Sequence, residues 1–299
     1  MLLEDAVVIN LKNEALNVVI NEHGAELTSV KDVESHLEYM WQADPAFWNR
    51  HAPVLFPIVG RLHDDTYNYD GHEYHMTQHG FARDQDFQVA AQTDTSVTFT
   101  LTDNADTHKL YPFAFKLDIM FSLQGRHLSV EYRVTNPSSK AVYFAIGGHP
   151  GFNLPLGDKQ GTFSDYTVAV SPAQIYPSLQ LDGPFSDTEH PTTLNFEKPL
   201  ALKHSLFAND AKILDLQQQP TTLTVTSDLN EHGIALTLQN ADYVGIWSPS
   251  PKQAPFVCLE PWWGIADSVT ADGQLQHKFG IHELHPQEMF NADYAIEFF

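Results

Sequence analysis

Residues 115–134 read Phe-Lys-Leu-Asp-Ile-Met-Phe-Ser-Leu-Gln-Gly-Arg-His-Leu-Ser-Val-Glu-Tyr-Arg-Val. Phe115, Leu117, Ile119, Phe121 and Leu123 are apolar at every second position. The alternation resumes after Gln124-Gly125-Arg126 at Leu128, Val130, Tyr132 and Val134. Period two on both sides of a short turn predicts a β-hairpin with one buried face. The same pattern returns at Val97, Phe99 and Leu101, at Leu223 with Val225, and at Ile234, Leu236 and Leu238. Tyr67-Asn68-Tyr69 and His72-Glu73-Tyr74 flank Asp70-Gly71, a pair suited to a type I′ turn because both central positions need positive φ.

Helical signals are few. Asp44-Pro45 fits an N-cap followed by a first-turn proline, so a turn or two is expected over Ala46–Arg50. A second short helix is expected over Asn104–Leu110. No 15-residue segment sustains a 3.6-residue period, and strand-like segments recur every 8 to 15 residues. This spacing predicts an all-β fold: a large antiparallel β-sandwich with a few short helices. Proline and glycine thicken over 147–161 and 171–191, which read as long loops, and no compositional shift marks a linker. One domain over residues 1–299 is expected.

Composition narrows the function. The chain has 299 residues, of which 42% are apolar and 12% aromatic, so it has ample core and is not a disordered chain. Sixteen Lys and Arg against 38 Asp and Glu give a formal charge of −22, which argues against nucleic-acid and anionic-membrane partners. The lone Cys258 cannot form an internal disulfide. The opening Met-Leu-Leu-Glu-Asp carries acids where a signal peptide needs cations. No apolar run approaches the roughly 18 residues of a membrane span. A cytoplasmic location is expected.

Four segments could carry chemistry, and each also has a plain structural reading. The run Pro53-Val54-Leu55-Phe56-Pro57-Ile58-Val59-Gly60-Arg61 ends in an arginine whose fork suits paired hydroxyls or a carboxylate; it could equally cap a carbonyl. Gln78-His79-Gly80-Phe81-Ala82-Arg83-Asp84 places a histidine in what could be an ordinary loop. Ile146-Gly147-Gly148-His149-Pro150-Gly151-Phe152-Asn153 holds an imidazole rigidly at a strand end, with glycines that permit close approach. Phe256-Val257-Cys258-Leu259-Glu260-Pro261-Trp262-Trp263-Gly264 places a carboxylate after four apolar residues. Burial there would raise its pKa and make it a better base, and the tryptophans suit the C–H faces of a sugar. Asp210 sits in Asn209-Asp210, which is also ordinary turn chemistry.

A tightly bound metal is not expected despite 16 histidines. His72 and His75, like His282 and His285, are three apart, and on a strand such positions face opposite ways. His-Glu-x-x-His, phosphate-cradling glycine loops and a Gly-x-Ser-x-Gly elbow are absent from the sequence.

Taken together, the segments resemble the aldose 1-epimerase (mutarotase) family, specifically its LacX-like branch. Gly24-Ala25-Glu26-Leu27-Thr28-Ser29-Val30, Tyr39-Met40-Trp41 and the Trp48 region, Leu55 to Arg61, His79 to Arg83, Gly148 to Phe152 and Leu259 to Trp262 follow in that family's order. The resemblance implies a galactose mutarotase-like supersandwich and cofactor-free interconversion of the α- and β-anomers of an aldose. It casts His149 as general acid at the ring oxygen, Glu260 as general base at the C1 hydroxyl, and His79 as a catalytic assistant. It places sugar-hydroxyl binding on Arg61 and Asp210, and the residues themselves add Trp263 and Arg83 as substrate-binding candidates. Galactose mutarotases carry Asn before the acid histidine, whereas here it is Gly148, so the likeness does not extend to the sugar. A hexose 6-phosphate epimerase, a non-catalytic sugar binder and, last, a glycoside hydrolase stand as alternatives.

Overall fold

A computed structural model of the chain describes residues 7–157 and 161–299. Segment 115–134 forms the strands Lys116–Gln124 and His127–Thr135, antiparallel, with Leu128 opposite Leu123 and Val134 opposite Leu117. Gly125 takes φ +55° at the first turn position, where a type II′ turn favours glycine. The alternating apolar side chains named above are buried. Met289–Phe298 pairs beside His127–Thr135, and Gly233–Leu238, Thr221–Ser227, Tyr166–Ser171 and Leu200–Ala201 continue outward. On the other side, Ser96–Thr102 and Gln88–Gln92 complete a nine-stranded sheet.

An eight-stranded sheet packs against it. Its order runs Phe185–Asn195, Ile175–Asp182, Lys212–Asp215, Tyr243–Trp247, Phe256–Trp263, Ile146–Gly148 and Val54–Leu55, and Gly151–Asn153 also pairs with Phe256–Trp263. One cluster of buried apolar residues joins Leu117, Val130 and Ile296 of the first sheet to Val257, Leu259, Ile246 and Trp263 of the second. Tyr132 meets Trp263 edge to face across it, centroids 6.2 Å apart. The second sheet is therefore covered on one face by the core. Its opposite face carries two smaller apolar clusters, one holding Leu55, Ile213, Trp262 and Ile265, the other Trp41, Phe256 and Cys258. A three-stranded sheet (Val8–Lys12, Leu16–Asn21, Glu26–Asp32) and two two-stranded pairs complete the fold. In one of these, Thr66–Tyr69 and His72–His75, Asp70 and Gly71 take φ +51° and +76°, as the type I′ turn requires.

The all-β sandwich expectation holds, with three local corrections. Residues 44–50 turn without forming a helix: the Asp44 carboxylate accepts the Ala46 N–H and its carbonyl accepts from Phe47 and Trp48. The second helix is shorter than expected, Thr107–Leu110, because the Asn104 side chain takes the N–H groups of Asp106 and Thr107. Segment 171–191 is mostly the hairpin Ile175–Asp182 with Phe185–Asn195. Its prolines are tolerated because the second strand is an edge, and the first meets its inner neighbour only at Ser178 and Leu179. Among the described residues no helix is long and apolar enough to cross a membrane.

Candidate active site

The site is built on Phe256–Trp263, a strand buried on both faces. Strand alternation sends Val257, Leu259 and Trp263 into the core and Phe256, Cys258, Glu260 and Trp262 to the opposite face. This corrects the expectation for Trp263. Its indole N–H donates to the Asn240 carbonyl at 3.0 Å, away from the cavity. Trp262 lines the cavity instead. Its indole lies against two glycines of neighbouring strands. A Cβ at Gly147 would stand 2.9 Å from Trp262 Cδ1, and one at Gly245 would stand 2.8 Å from Cη2.

His149 follows Ile146–Gly148, which pairs with Phe256–Trp263 on one side and Val54–Leu55 on the other. Its Nε2 lies 3.0 Å from Glu260 Oε2. The imidazole is walled by Trp48 (centroids 4.8 Å), Trp247 (5.4 Å) and His79 (5.7 Å). Both partners are buried, and burial acts on each in the direction of neutrality. It pushes His149 down to about 3, with the Arg83 charge adding to the effect. It pushes Glu260 well above the carboxylate range, with Asp210 adding. Burial thus favours the uncharged form of each, a neutral imidazole beside a protonated carboxyl.

His79 takes φ +67° in a turn threaded against Phe56 and Pro57. Gly80 follows at φ +70°, where a Cβ would fall 2.3 Å from the Phe56 carbonyl oxygen. The Gly60 N–H donates to His79 Nδ1 at 3.1 Å, which fixes the ring proton on Nε2. Burial and the nearby His149, Arg83 and Arg50 hold His79 well below the ordinary imidazole range. Arg83 donates from Nη2 to the Gln78 carbonyl at 2.6 Å and lines the cavity. Asp210, at φ +68°, also lines it.

Arg61 differs from expectation. Gly60, at φ +74°, borders the cavity, but the Arg61 guanidinium turns outward and grips Asp65 with two hydrogen bonds of 2.8 Å. The structure thus gathers His149, Glu260, His79, Arg83 and Asp210 around one cavity of about 260 Å³, and leaves Arg61 and Trp263 outside it.

Sequence reasoning chose Trp263 over Trp262 and missed Trp247 and Gly245. Counting parity from Glu260 would have found Trp262. Trp247 and Gly245 carry no local signal, because they enter through their register opposite Cys258 and Glu260. The histidine spacings also pointed elsewhere: His282 pairs with Asp242, and His72 and His75 lie on the outer hairpin. Among the described residues, one group of three potential metal donors converges: His149, Cys258 and Glu260, with ligand atoms within 4.8 Å of one another.

The site is a buried imidazole–carboxyl pair in an aromatic-walled cavity on a two-sheet sandwich. The aldose 1-epimerase family profile matches residues 7–297. Protein LacX of Lactococcus lactis subsp. lactis is 34% identical over 296 residues, covering 96% of this chain and 98% of that protein. A galactose mutarotase related enzyme of known structure from Lactobacillus acidophilus superposes with a TM-score of 0.96 at 40% identity, covering 98% of this chain and 97% of that one. A galactose mutarotase-like protein from Lactobacillus casei ATCC 334 gives a TM-score of 0.90 at 35% identity, covering 98% and 100%. The chain belongs to the aldose 1-epimerase family and is an enzyme of the isomerase class.

Proposed function

We propose that the chain, acting as one domain over residues 1–299, interconverts the α- and β-anomers of an unphosphorylated aldose. The observation that carries this reading is the 3.0 Å His149–Glu260 pair facing a cavity sized for one small molecule. Mutarotation needs one proton taken from the C1 hydroxyl and one given to the ring oxygen. In the reactive form Glu260 is ionised and the proton sits on His149. Ring opening moves it to the ring oxygen, while Glu260 takes the C1 hydroxyl proton. The opening half ends with neutral His149 and protonated Glu260, the arrangement that burial favours. After rotation about C1–C2 the protons return along the same two paths, and closure on the other face gives the other anomer. Each proton-transfer group contributes roughly 10²–10⁴-fold. His79, whose Nε2–H is a fixed donor, assists, and Arg83, Asp210 and Trp262 orient the sugar.

A phosphate would want two or three converging cations. Among the described cavity-lining residues Arg83 is the one Lys or Arg, and the other nearby arginines, Arg50 and Arg61, are paired with Asp84 and Asp65. This supports a neutral sugar over a hexose 6-phosphate. We place the enzyme in the cytoplasm; fractionation that recovers it outside the cell would overturn that.

Anomer exchange followed by NMR over a panel of aldoses and their 6-phosphates tests the reading. The wild type should accelerate exchange of at least one free aldose. Glu260→Gln and His149→Asn should each slow it by roughly 10² or more while still binding sugar. Wild-type rates in either variant would refute the acid and base roles, and no exchange with any sugar would leave a binding protein.

A further inference from the structure

We propose that His149, Cys258 and Glu260 form a binding site for a thiophilic divalent cation such as Zn²⁺, and that the ion reversibly shuts off the proton-transfer pair. Binding is independent of the proposed activity; the shut-off rests on it. Cys258 lies two residues before Glu260 on the same face of its strand, with Gly151 paired opposite. All three ligand atoms lie within 4.8 Å of one another, and two of them, on His149 and Glu260, are 3.0 Å apart. Zinc bonds of about 2.0–2.3 Å to N, O and S place tetrahedral ligands roughly 3.3–3.7 Å apart, so modest side-chain rotation closes the set. His149 and Glu260 line the cavity, which gives the ion an entry path and a fourth corner for water or a sugar hydroxyl.

Charge also matches. A neutral imidazole, a thiolate and a carboxylate carry two negative charges, so a dication makes the buried cluster neutral. Arg83 opposes the ion and Asp210 favours it. Binding displaces the Cys258 thiol proton and the Glu260 proton, and both leave to solvent. With its nitrogen and carboxylate bound to the ion, the pair can neither give nor take a proton.

Sixteen histidines give Zn²⁺ other places to bind, so the test must read sulfur ligation. Co²⁺ added to the purified protein should give tetrahedral visible bands and a thiolate charge-transfer band in the near ultraviolet. Zn²⁺ should erase both by displacement. Zn²⁺ at ten times its Kd should slow aldose exchange roughly tenfold, as single-site occupancy requires. Cys258→Ala and the closer-shaped Cys258→Ser should keep exchange and lose the sulfur band. They should also need Zn²⁺ concentrations higher by at least the roughly 10–100-fold that losing even an outer-sphere partner costs. A Co²⁺ spectrum without sulfur character, or equal inhibition of both variants, overturns the site. Sulfur-ligated binding that leaves exchange unslowed overturns the shut-off. If no aldose is turned over, the proposed function fails, while the Co²⁺ spectrum still decides the site.

Discussion

His79 is held in a backbone conformation few side chains adopt, and its single lone pair is already used by the Gly60 N–H. A second ring proton would break that bond and place a charge in a buried site beside His149, Arg83 and Arg50. The folded imidazole therefore titrates below its unfolded counterpart, whose pKa is about 6.5. The stability tied to this difference is fully present above about pH 6.5. It is lost as pH falls, because the unfolded chain binds a proton that the folded one refuses. His149 acts with the same sign. Glu260, raised by burial, acts with the opposite sign, because its folded form already holds a proton there. The difference between wild type and His79→Asn isolates the one histidine, since the Asn amide oxygen can still accept from Gly60. Urea unfolding between about pH 6 and 5 should show the wild type losing up to about 1.4 kcal/mol per pH unit more than the variant. Parallel slopes would show that His79 accepts its proton in the fold. At this scale His149, Glu260 and His79 were legible because glycine, proline and a carboxylate interrupt apolar runs at strand ends. The outward turn of Arg61 was not, because its partner Asp65 decides it and an Asp four residues on carries no directional signal.

Each strand places its side chains by parity, and parity decides what the cavity is made of. The sequence places Glu260 after four apolar residues, and the strand Phe256–Trp263 continues three residues past it, but a run of apolar residues hides which face is which. Trp262 and Trp263 look equivalent in sequence and go to opposite sides of the sheet. The hairpin of 115–134 was readable because its polar residues alternate. The hairpin Ile175–Asp182 with Phe185–Asn195 was hidden by prolines that an edge strand tolerates. Register explains Gly245: it stands opposite Glu260, and the indole of Trp262 lies over it. A methyl added there would sit 2.8 Å from the indole and 3.4 Å from Glu260 Cβ, so the ring must tilt into the cavity. Gly245→Ala should fold, lose about 1–3 kcal/mol by overpacking, and raise KM for the aldose more than it lowers kcat. Denaturant melts and steady-state anomer exchange check both parts. Wild-type stability together with wild-type KM would mean that Trp262 is not part of the sugar platform.

Across the whole molecule the excess of 22 negative charges opposes a set of local ion pairs. Some pairs are close, such as Arg126–Asp32 at 2.6 Å and Lys109–Asp106 at 2.5 Å. Lys109 and Asp106 are largely in water, which screens their attraction, whereas Asp32 is buried. The net excess acts instead over long distances. Unfolding spreads the like charges apart, so their repulsion disfavours the folded state. Raising NaCl from about 0.01 M to about 0.1 M shortens the Debye length from about 30 Å to about 10 Å. This removes the long-range repulsion first and leaves contacts near 3 Å much less affected. The protein should therefore gain stability with salt over this range. A gain of 1 kcal/mol would raise Tm by roughly 2 °C in a chain of this size. Thermal melts at constant pH, well above the carboxylate range, measure this directly. A Tm that falls with salt would mean that the paired charges, rather than the excess, govern the stability of the fold.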